Sequence, residues 1–392
     1  MNWVDIEAKY YMKTFARLPV VLVEGEGVRV TDVDGKSYLD MVGGIAVNIL
    51  GHGHASLVEA ISGQAAKLIH TSNLYYTVPQ LELAERLIDN SCADRIFFGN
   101  SGAEANEGAI KLARKWGKEH RGGAFEVISA EYSFHGRTLA TVAATGQAKM
   151  KGPFEPMPTG FVHVPFNDLD AIKGATNGNT CAVMLEVIQG ESGVHIGDQD
   201  YIAGVREWCD SQNLLFILDE IQTGLGRTGT LFGYERYGVE PDVFTLAKGL
   251  AGGVPIGAFL SKEEVSVLAA SDHGSTFGGN PLACAAGVAT FDAIRDEKLV
   301  ENSAETGGYL LDKLNDLMQV NELVTAVRGA GLMAGVDLNA EVAGGVVSTA
   351  LSKGLILNNT GPNTVRMVPP LIVTKAEIDE AVSILADSLA AV

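Results

Sequence analysis

Two short apolar runs, Leu214–Leu218 and Val243–Ala247, each end in a single charge: Asp219 after the first and Lys248 after the second. Short apolar runs bounded by turn signals read as strands buried on both faces, the habit of parallel sheets. In open α/β sheets, ligands bind at the carboxyl ends of the strands. A carboxylate and an amine delivered to that edge therefore mark a candidate site. Taken singly, each is also just the first polar residue after a core strand.

The neighbouring segments follow the same rhythm. Strands are expected at Arg95–Phe98, Glu126–Ser129 and Cys181–Val187, and helices from Ser101 to about Trp116 and over Tyr201–Gln212. Alternation of strand and helix from residue 95 to 260 implies a mostly parallel sheet with helices on both faces. Upstream, Val28–Met41 reads as a hairpin with Asp34-Gly35 as a two-residue turn, and helices are expected at Ser56–Ile69 and Pro79–Ile88. Downstream come helices at Cys284–Asp296 and Ser303–Met318 and strands near Val324–Val327, Gly331–Leu338, Leu355–Leu357 and Val365–Met367. A last helix is capped by Thr374 and Glu377. This tail reads as a separate α+β unit.

A net charge of −19 over 392 residues argues against nucleic acid or an anionic membrane as partner, since both need basic surface. A small anion needs only a local positive pocket. Cys92, Cys181, Cys209 and Cys284 are scattered without a CxxC pair, as buried free thiols of a reducing compartment would be. The stretch MNWVDIEAKYYMK has no signal-peptide core, and no apolar run approaches membrane-spanning length, so a cytoplasmic protein is expected. His52 and His54 lack a third ligand at metal spacing, so no metal is expected.

Ser101 and Glu104 form an S-x-x-E capping box, and Gly102 leaves the first helical N–H groups uncrowded, which suits an anion. Phe134, His135 and Arg137 sit in a loop after the strand at residues 126–129. An arginine there can be a surface charge, a carboxylate clamp or a phosphate contact. Gly224–Gly229, GLGRTG, matches the dinucleotide fingerprint. However, DEIQT separates it from the strand, no long amphipathic helix follows, and the next strand ends in Lys248, not an acid. Nicotinamide chemistry is therefore not expected. An anion site, an aromatic, a carboxylate and an amine together are what pyridoxal phosphate asks for. Asp219 would keep its ring nitrogen protonated, and Lys248 would take its aldehyde and then carry a proton. Burial and neighbouring cations lower a lysine's pKa toward that task.

The segments GGIAVNILGHGH, HTSNLYYTVPQLELAERL, FFGNSGAEANEGAIKLAR, YSFHGRT, LDEIQTGLGRTG, LAKGLAGGVPIGA and GSTFGGNPLACAAG extend this match. In order and spacing the chain resembles the class III, subgroup II pyridoxal-phosphate aminotransferases along nearly its whole length, and most closely the acetylornithine aminotransferases. The resemblance implies fold type I, a mostly parallel seven-stranded sheet with helices on both faces plus a smaller α+β domain. Residues 1–45 would join the small domain, 46–290 form the large cofactor-binding domain, and 291–392 form the C-terminal small domain. It further implies Lys248 as the lysine that binds pyridoxal 5′-phosphate and Asp219 as partner of its ring nitrogen. Gln222 would contact the ring hydroxyl, with Glu220 and Ile221 beside it, and Phe134 would stack on the ring. Ser101, Gly102 and Ala103 would hold the phosphate, and Thr276 would reach the phosphate of a neighbouring subunit, with Ser275 near substrate. Arg137 would clamp the substrate carboxylate. Glu191 would mask Arg366 for the amino donor and release it for 2-oxoglutarate, since one pocket must serve partners with one and two carboxylates.

The implied reaction takes the terminal amine from N2-acetyl-L-ornithine and passes it to 2-oxoglutarate, in a homodimer with shared active sites. Ala55 and Val187 stand where proline is common in the family, away from the chemistry. Gly44 stands where ornithine aminotransferases tend to carry tyrosine, which favours the acetylated donor. Succinylornithine, ornithine, an acyl-lysine and 4-aminobutyrate are the alternative donors. An aminomutase, racemase or decarboxylase would not need the Glu191–Arg366 pair, and a non-catalytic relative would not need Lys248 and Asp219.

Overall fold

The computed structural model describes residues 3–392. Its central sheet has seven strands, in the spatial order Arg95–Gly99, Gly257–Ser261, Val243–Leu246, Leu215–Asp219, Thr180–Leu185, Glu126–Ala130 and Phe161–Val164. Every residue of Thr180–Leu185, Leu215–Asp219, Val243–Leu246 and Gly257–Ser261 is buried. That two-sided burial is why these segments are near-continuous apolar runs. Leu215–Asp219 pairs in parallel with both neighbours, and Asp219 lies opposite Thr245 at the carboxyl edge. Gly257–Ser261 is the exception, antiparallel to the strands on each side. It follows Val243–Leu246 through a single 3₁₀ turn, Lys248–Ala251, too short for the crossover that a parallel return needs.

Helices cover the sheet. Gly102–His120 runs four residues past the expected Trp116, and Ser101 Oγ caps it by accepting the Glu104 N–H at 3.2 Å. The Glu104 carboxylate does not close the box; it accepts instead from the Asn100 N–H at 2.9 Å. Gly108 lets this helix lie on the sheet, because a Cβ there would fall 2.3 Å from the Phe259 ring. The helices at Ala55–Ala65, Val78–Asp89, Gln199–Gln212, Pro281–Asp296 and Leu299–Val320 fall where apolar periodicity puts them, with ends shifted by a few residues.

Two four-stranded sheets, and the two-stranded pair of Ile188–Gln189 with His195–Ile196, complete the fold. Val324–Ala330, Met333–Leu338, Thr364–Met367 and Asn358–Asn359 form one. Leu22–Glu26, Arg29–Asp32 and Ser37–Asp40 form the other, and Leu355–Ile356 joins it parallel to Ser37–Asp40. The hairpin differs from expectation. Asp32 N–H donates to Lys36 O at 3.0 Å, so the turn spans residues 33–35 and is not a two-residue turn at Asp34-Gly35. The Asp32 carboxylate draws it in by accepting the N–H groups of Asp34 and Lys36, both at 2.9 Å. Among the described residues, no helix is long and apolar enough to cross a membrane.

Candidate active site

A cavity of about 440 Å³ opens at the carboxyl edge of the central sheet, and Asp219, Lys248, Phe134 and the start of helix Gly102–His120 all line it. The strand ends bring these groups together, and side chains farther away fix how each is presented.

Asp219 is 4% exposed and is held asymmetrically. Its Oδ2 accepts from His135 Nδ1 and from Asn106 Nδ2, each at 2.8 Å. Among the described residues, its Oδ1 accepts only the Ile221 N–H, at 3.1 Å. Asn106 has no freedom to turn over: its Oδ1 accepts from Thr245 Oγ1 at 2.8 Å, so its amide nitrogen must donate, to Asp219 and to His135 O. The network thus occupies Oδ2 with two donors and leaves lone-pair capacity on Oδ1 of a carboxylate that lines the cavity. A protonated heterocyclic nitrogen is the partner that this arrangement suits.

Lys248 begins the turn after the neighbouring strand with φ 44, the left-handed region that a side chain rarely adopts. Such a conformation costs on the order of 1–3 kcal/mol and is characteristic of functional sites. Its Nζ has no hydrogen bond or ion pair among the described residues. Burial pulls its pKa down, as does Arg366, against the upward pull of Glu191, Asp219 and Glu186. It is an amine set up to lose its proton.

At the helix start, the N–H groups of Gly102 and Ala103 have no intrahelical acceptor. Gly102 is needed for closeness: a Cβ would stand 2.7 Å from Ile221 Cδ1, so the isoleucine packs directly over the helix end. Phe134 is half-buried, with its N–H on Glu186 Oε2 at 3.0 Å and the Arg137 guanidinium 5.5 Å from its ring centroid. Burial, reinforced by Asp219, pushes the Glu186 carboxyl well above the usual range. Arg137 is exposed and has no carboxylate within ion-pair distance among the described residues.

The second charged group lies deeper. Arg366, fully buried, donates from Nη1 to Glu191 Oε1 and to Gly190 O, both at 2.8 Å, and to Gln222 Oε1 at 3.3 Å. Gln222 Nε2 reaches Glu191 Oε1 at 3.2 Å and closes a triangle. Burial alone would raise the Glu191 pKa, but Arg366 and Lys248 outweigh it and bring it down to about 2.

Not every expected residue comes to the cavity. The Glu220 side chain turns into the following loop, where it accepts from Thr223 Oγ1 and from the N–H groups of Gly233 and Tyr234 at 2.9 and 2.7 Å. Burial pushes its pKa up to about 7. Ser275 Oγ accepts from the Gly278 N–H at 2.9 Å and from Asn100 Nδ2 at 3.1 Å, organising a turn. Thr276 is exposed, and neither it nor Ser275 lines this chain's cavity. The GLGRTG segment is a tight turn, with φ 59, 89 and 84 at Leu225, Gly226 and Gly229. His52 and His54 are spent on carboxylates, Asp40 at 2.9 Å and Glu297 at 3.0 Å.

Comparison with known proteins agrees with this geometry. The family model for class-III aminotransferases matches residues 10–389. The chain belongs to the class-III aminotransferases. An acetylornithine aminotransferase of Caldanaerobacter subterraneus is 52% identical, covering 98% of both chains. One from Methanocaldococcus jannaschii is 51% identical over 98% of this chain and 97% of its own. Among solved structures, ornithine aminotransferase of Toxoplasma gondii superposes with a TM-score of 0.95 at 33% identity, covering 99% of this chain and 94% of that one. Acetylornithine aminotransferase of Elizabethkingia anophelis gives 0.88 at 35% identity, covering 99% and 98%.

Pyridoxal phosphate is the cofactor of this family, and the residues present fit it. A buried amine without a partner among the described residues, a carboxylate with spare lone-pair capacity, and helical N–H groups without an intrahelical acceptor belong to residues that line one cavity.

Proposed function

We propose that this aminotransferase moves the terminal amine of N2-acetyl-L-ornithine to 2-oxoglutarate, giving N-acetyl-L-glutamate 5-semialdehyde and L-glutamate, a step of arginine biosynthesis. The observation that carries the reading is the masked guanidinium: Arg366, fully buried, is held by Glu191 and Gln222, which line the cavity together with Lys248. With the mask closed, the pocket offers the exposed Arg137 guanidinium to a donor with one carboxylate. With the mask open, Arg366 takes the second carboxylate of 2-oxoglutarate. The naming of relatives at about half identity supports the acetylated donor.

When bound, pyridoxal phosphate supplies an aldehyde that takes up the amine and a ring that accepts electrons. The Asp219 carboxylate would hold the proton on the ring nitrogen. Ser101, Gly102 and Ala103 would take the phosphate, with Phe134 and Gln222 as the residues that would contact the ring. Lys248 Nζ would hold the cofactor through its aldehyde and, as a buried amine, would be the group placed to carry a proton.

The working unit in this reading is a cytoplasmic homodimer. Supporting it, Leu74, Tyr75, Tyr76 and Phe277 are 79%, 70%, 91% and 61% exposed, an apolar surface that a second copy would cover. Thr276, beside Phe277, would then serve the partner's phosphate site. Steady-state kinetics with acetylornithine, succinylornithine, ornithine and 4-aminobutyrate, each against 2-oxoglutarate, test the reading. Acetylornithine should have the highest kcat/KM; ornithine or 4-aminobutyrate in front would overturn the donor assignment.

A further inference from the structure

Arg227 and Arg366 are the bulkiest side chains that the fold buries completely. Arg366 has Glu191 as partner. Arg227 has no carboxylate within ion-pair distance among the described residues. Its Nη1 donates to Leu332 O at 2.8 Å and to Pro369 O, while Nε and Nη2 find no acceptor. Burial draws even this guanidinium down to about 9. A buried cation without a counter-charge is expensive, and a well-packed apolar side chain of similar volume is often the more stable choice. An arginine kept at such a position asks for a task that Met or Leu cannot perform.

The two carbonyls show the task. Leu332 directly precedes the strand Met333–Leu338, and Pro369 follows the strand Thr364–Met367. These strands are paired, with Gly335 opposite Arg366. The backbone of Arg227 grips the same region: its O accepts the Leu332 N–H at 3.0 Å and Ser303 Oγ at 3.1 Å. There is no slack in this contact, since a Cβ on Gly331 would fall 2.5 Å from Arg227 O. Five residues earlier, Gln222 reaches the Arg366 guanidinium itself. The loop that starts at Asp219 therefore holds the Arg366 strand at two points, one at its backbone end and one at its working tip.

We propose that Arg227 is a positioning residue for the dicarboxylate half of the reaction, holding the Arg366 strand in register with the loop that carries Asp219 and Gln222. The inference rests on the reading of Arg366 as the site of the second carboxylate. A shift of Pro369 by 1 Å would be passed along the strand to Arg366, and a misplacement of that size costs on the order of 100-fold in rate. The donor half-reaction uses Arg137, which lies on a different loop, and is spared.

The test is Arg227→Lys, which keeps a cation but cannot bridge both carbonyls, with Arg227→Met as the stronger perturbation. Single-turnover half-reactions of the holoenzyme, followed by cofactor absorbance, give apparent Kd and rate separately for glutamate and for acetylornithine. The glutamate Kd should rise by at least about tenfold in Arg227→Lys and further in Arg227→Met, with the acetylornithine values within about threefold of wild type. Equal losses in both half-reactions, or none in either, overturn the proposal. Should Arg227→Lys not fold, Ser303→Ala removes only the hydroxyl bond to Arg227 O and should show the same selectivity, on the order of two- to threefold; no selectivity there also overturns it. A wild-type enzyme that reacts with glutamate but not with acetylornithine refutes the donor reading and leaves this inference standing on its glutamate arm.

Discussion

Asn106→Leu is the substitution that most directly probes how Asp219 is held. It removes the 2.8 Å bond to Asp219 Oδ2 and leaves His135 O and Thr245 Oγ1 without the partners they have at 2.7 and 2.8 Å. A hydrogen bond to a charged group is worth about 1.5–3 kcal/mol, and each buried group left unpaired costs about 1–3 kcal/mol. The fold should therefore lose on the order of 4–9 kcal/mol of stability. The ionised Asp219 loses the charge-assisted share of that, about 1.5–3 kcal/mol, which corresponds to a rate loss of about 10- to 100-fold if its charge keeps the ring nitrogen protonated. The assay is kcat/KM for the overall reaction beside a pH titration of bound-cofactor absorbance and a thermal melt. The pH at which the ring nitrogen titrates should fall together with the rate. Asn106→Asp should be worse than Asn106→Leu, because it sets a second carboxylate against the first. An Asn106→Leu enzyme with wild-type turnover and an unchanged absorbance titration would refute the reasoning.

Three further outcomes are expected. Lys248→Ala should abolish turnover and leave the melting temperature at or above that of wild type, since a buried amine is removed; retained activity would show that another group moves the proton. Arg137→Ala should raise KM for both substrates by on the order of tenfold with little change in stability, because the guanidinium is exposed and unpaired; an unchanged KM would remove it from the carboxylate site. Glu191, lowered from 4.5 to about 2, contributes stability that is present above 4.5 and is lost as pH falls toward 2. The lost stabilisation is about 3 kcal/mol, so the stability difference between wild type and Glu191→Gln should shrink from pH 6 to pH 3 in denaturant melts. A difference independent of pH would contradict the ion pair.

Much of the cofactor cradle is legible in the sequence because buried strands advertise themselves. Leu215–Asp219 and Val243–Leu246 are apolar on both faces, so the first charge after each stands out. Ser101 and Thr374 announce helix starts through local hydrogen bonds within four residues. What escapes is what depends on long-range pairing. Asn106 and His135 reach Asp219 across 113 and 84 residues, and nothing in NSGAEANEGA marks that asparagine as more than a polar residue in a helix. Glu220 follows Asp219 in the chain, but successive residues of extended backbone point to opposite sides, which sends it into the loop instead of the cavity. The edge strand Phe161–Val164 escapes for a related reason: four residues, three of them only partly covered and one of those a histidine, give too weak an apolar signal. The reversed direction of Gly257–Ser261 is set by a short connection and not by its own composition. Nothing in the glycine-rich GLGRTG motif marks Arg227 as buried, and only the fold shows it packed against Leu332 and Pro369.

The central claim is that Lys248, Asp219 and the Glu191–Arg366 pair serve a two-substrate amine transfer that starts from an acetylated terminal amine. The most direct measurement mixes the holoenzyme with N2-acetyl-L-ornithine in the absence of any 2-oxo acid and follows cofactor absorbance alongside product by mass. The account predicts complete conversion of the cofactor to its amine form with one equivalent of N-acetylglutamate semialdehyde per site, reversed on adding 2-oxoglutarate with release of glutamate. A cofactor spectrum that does not move with acetylornithine, while glutamate converts it fully, would contradict the account.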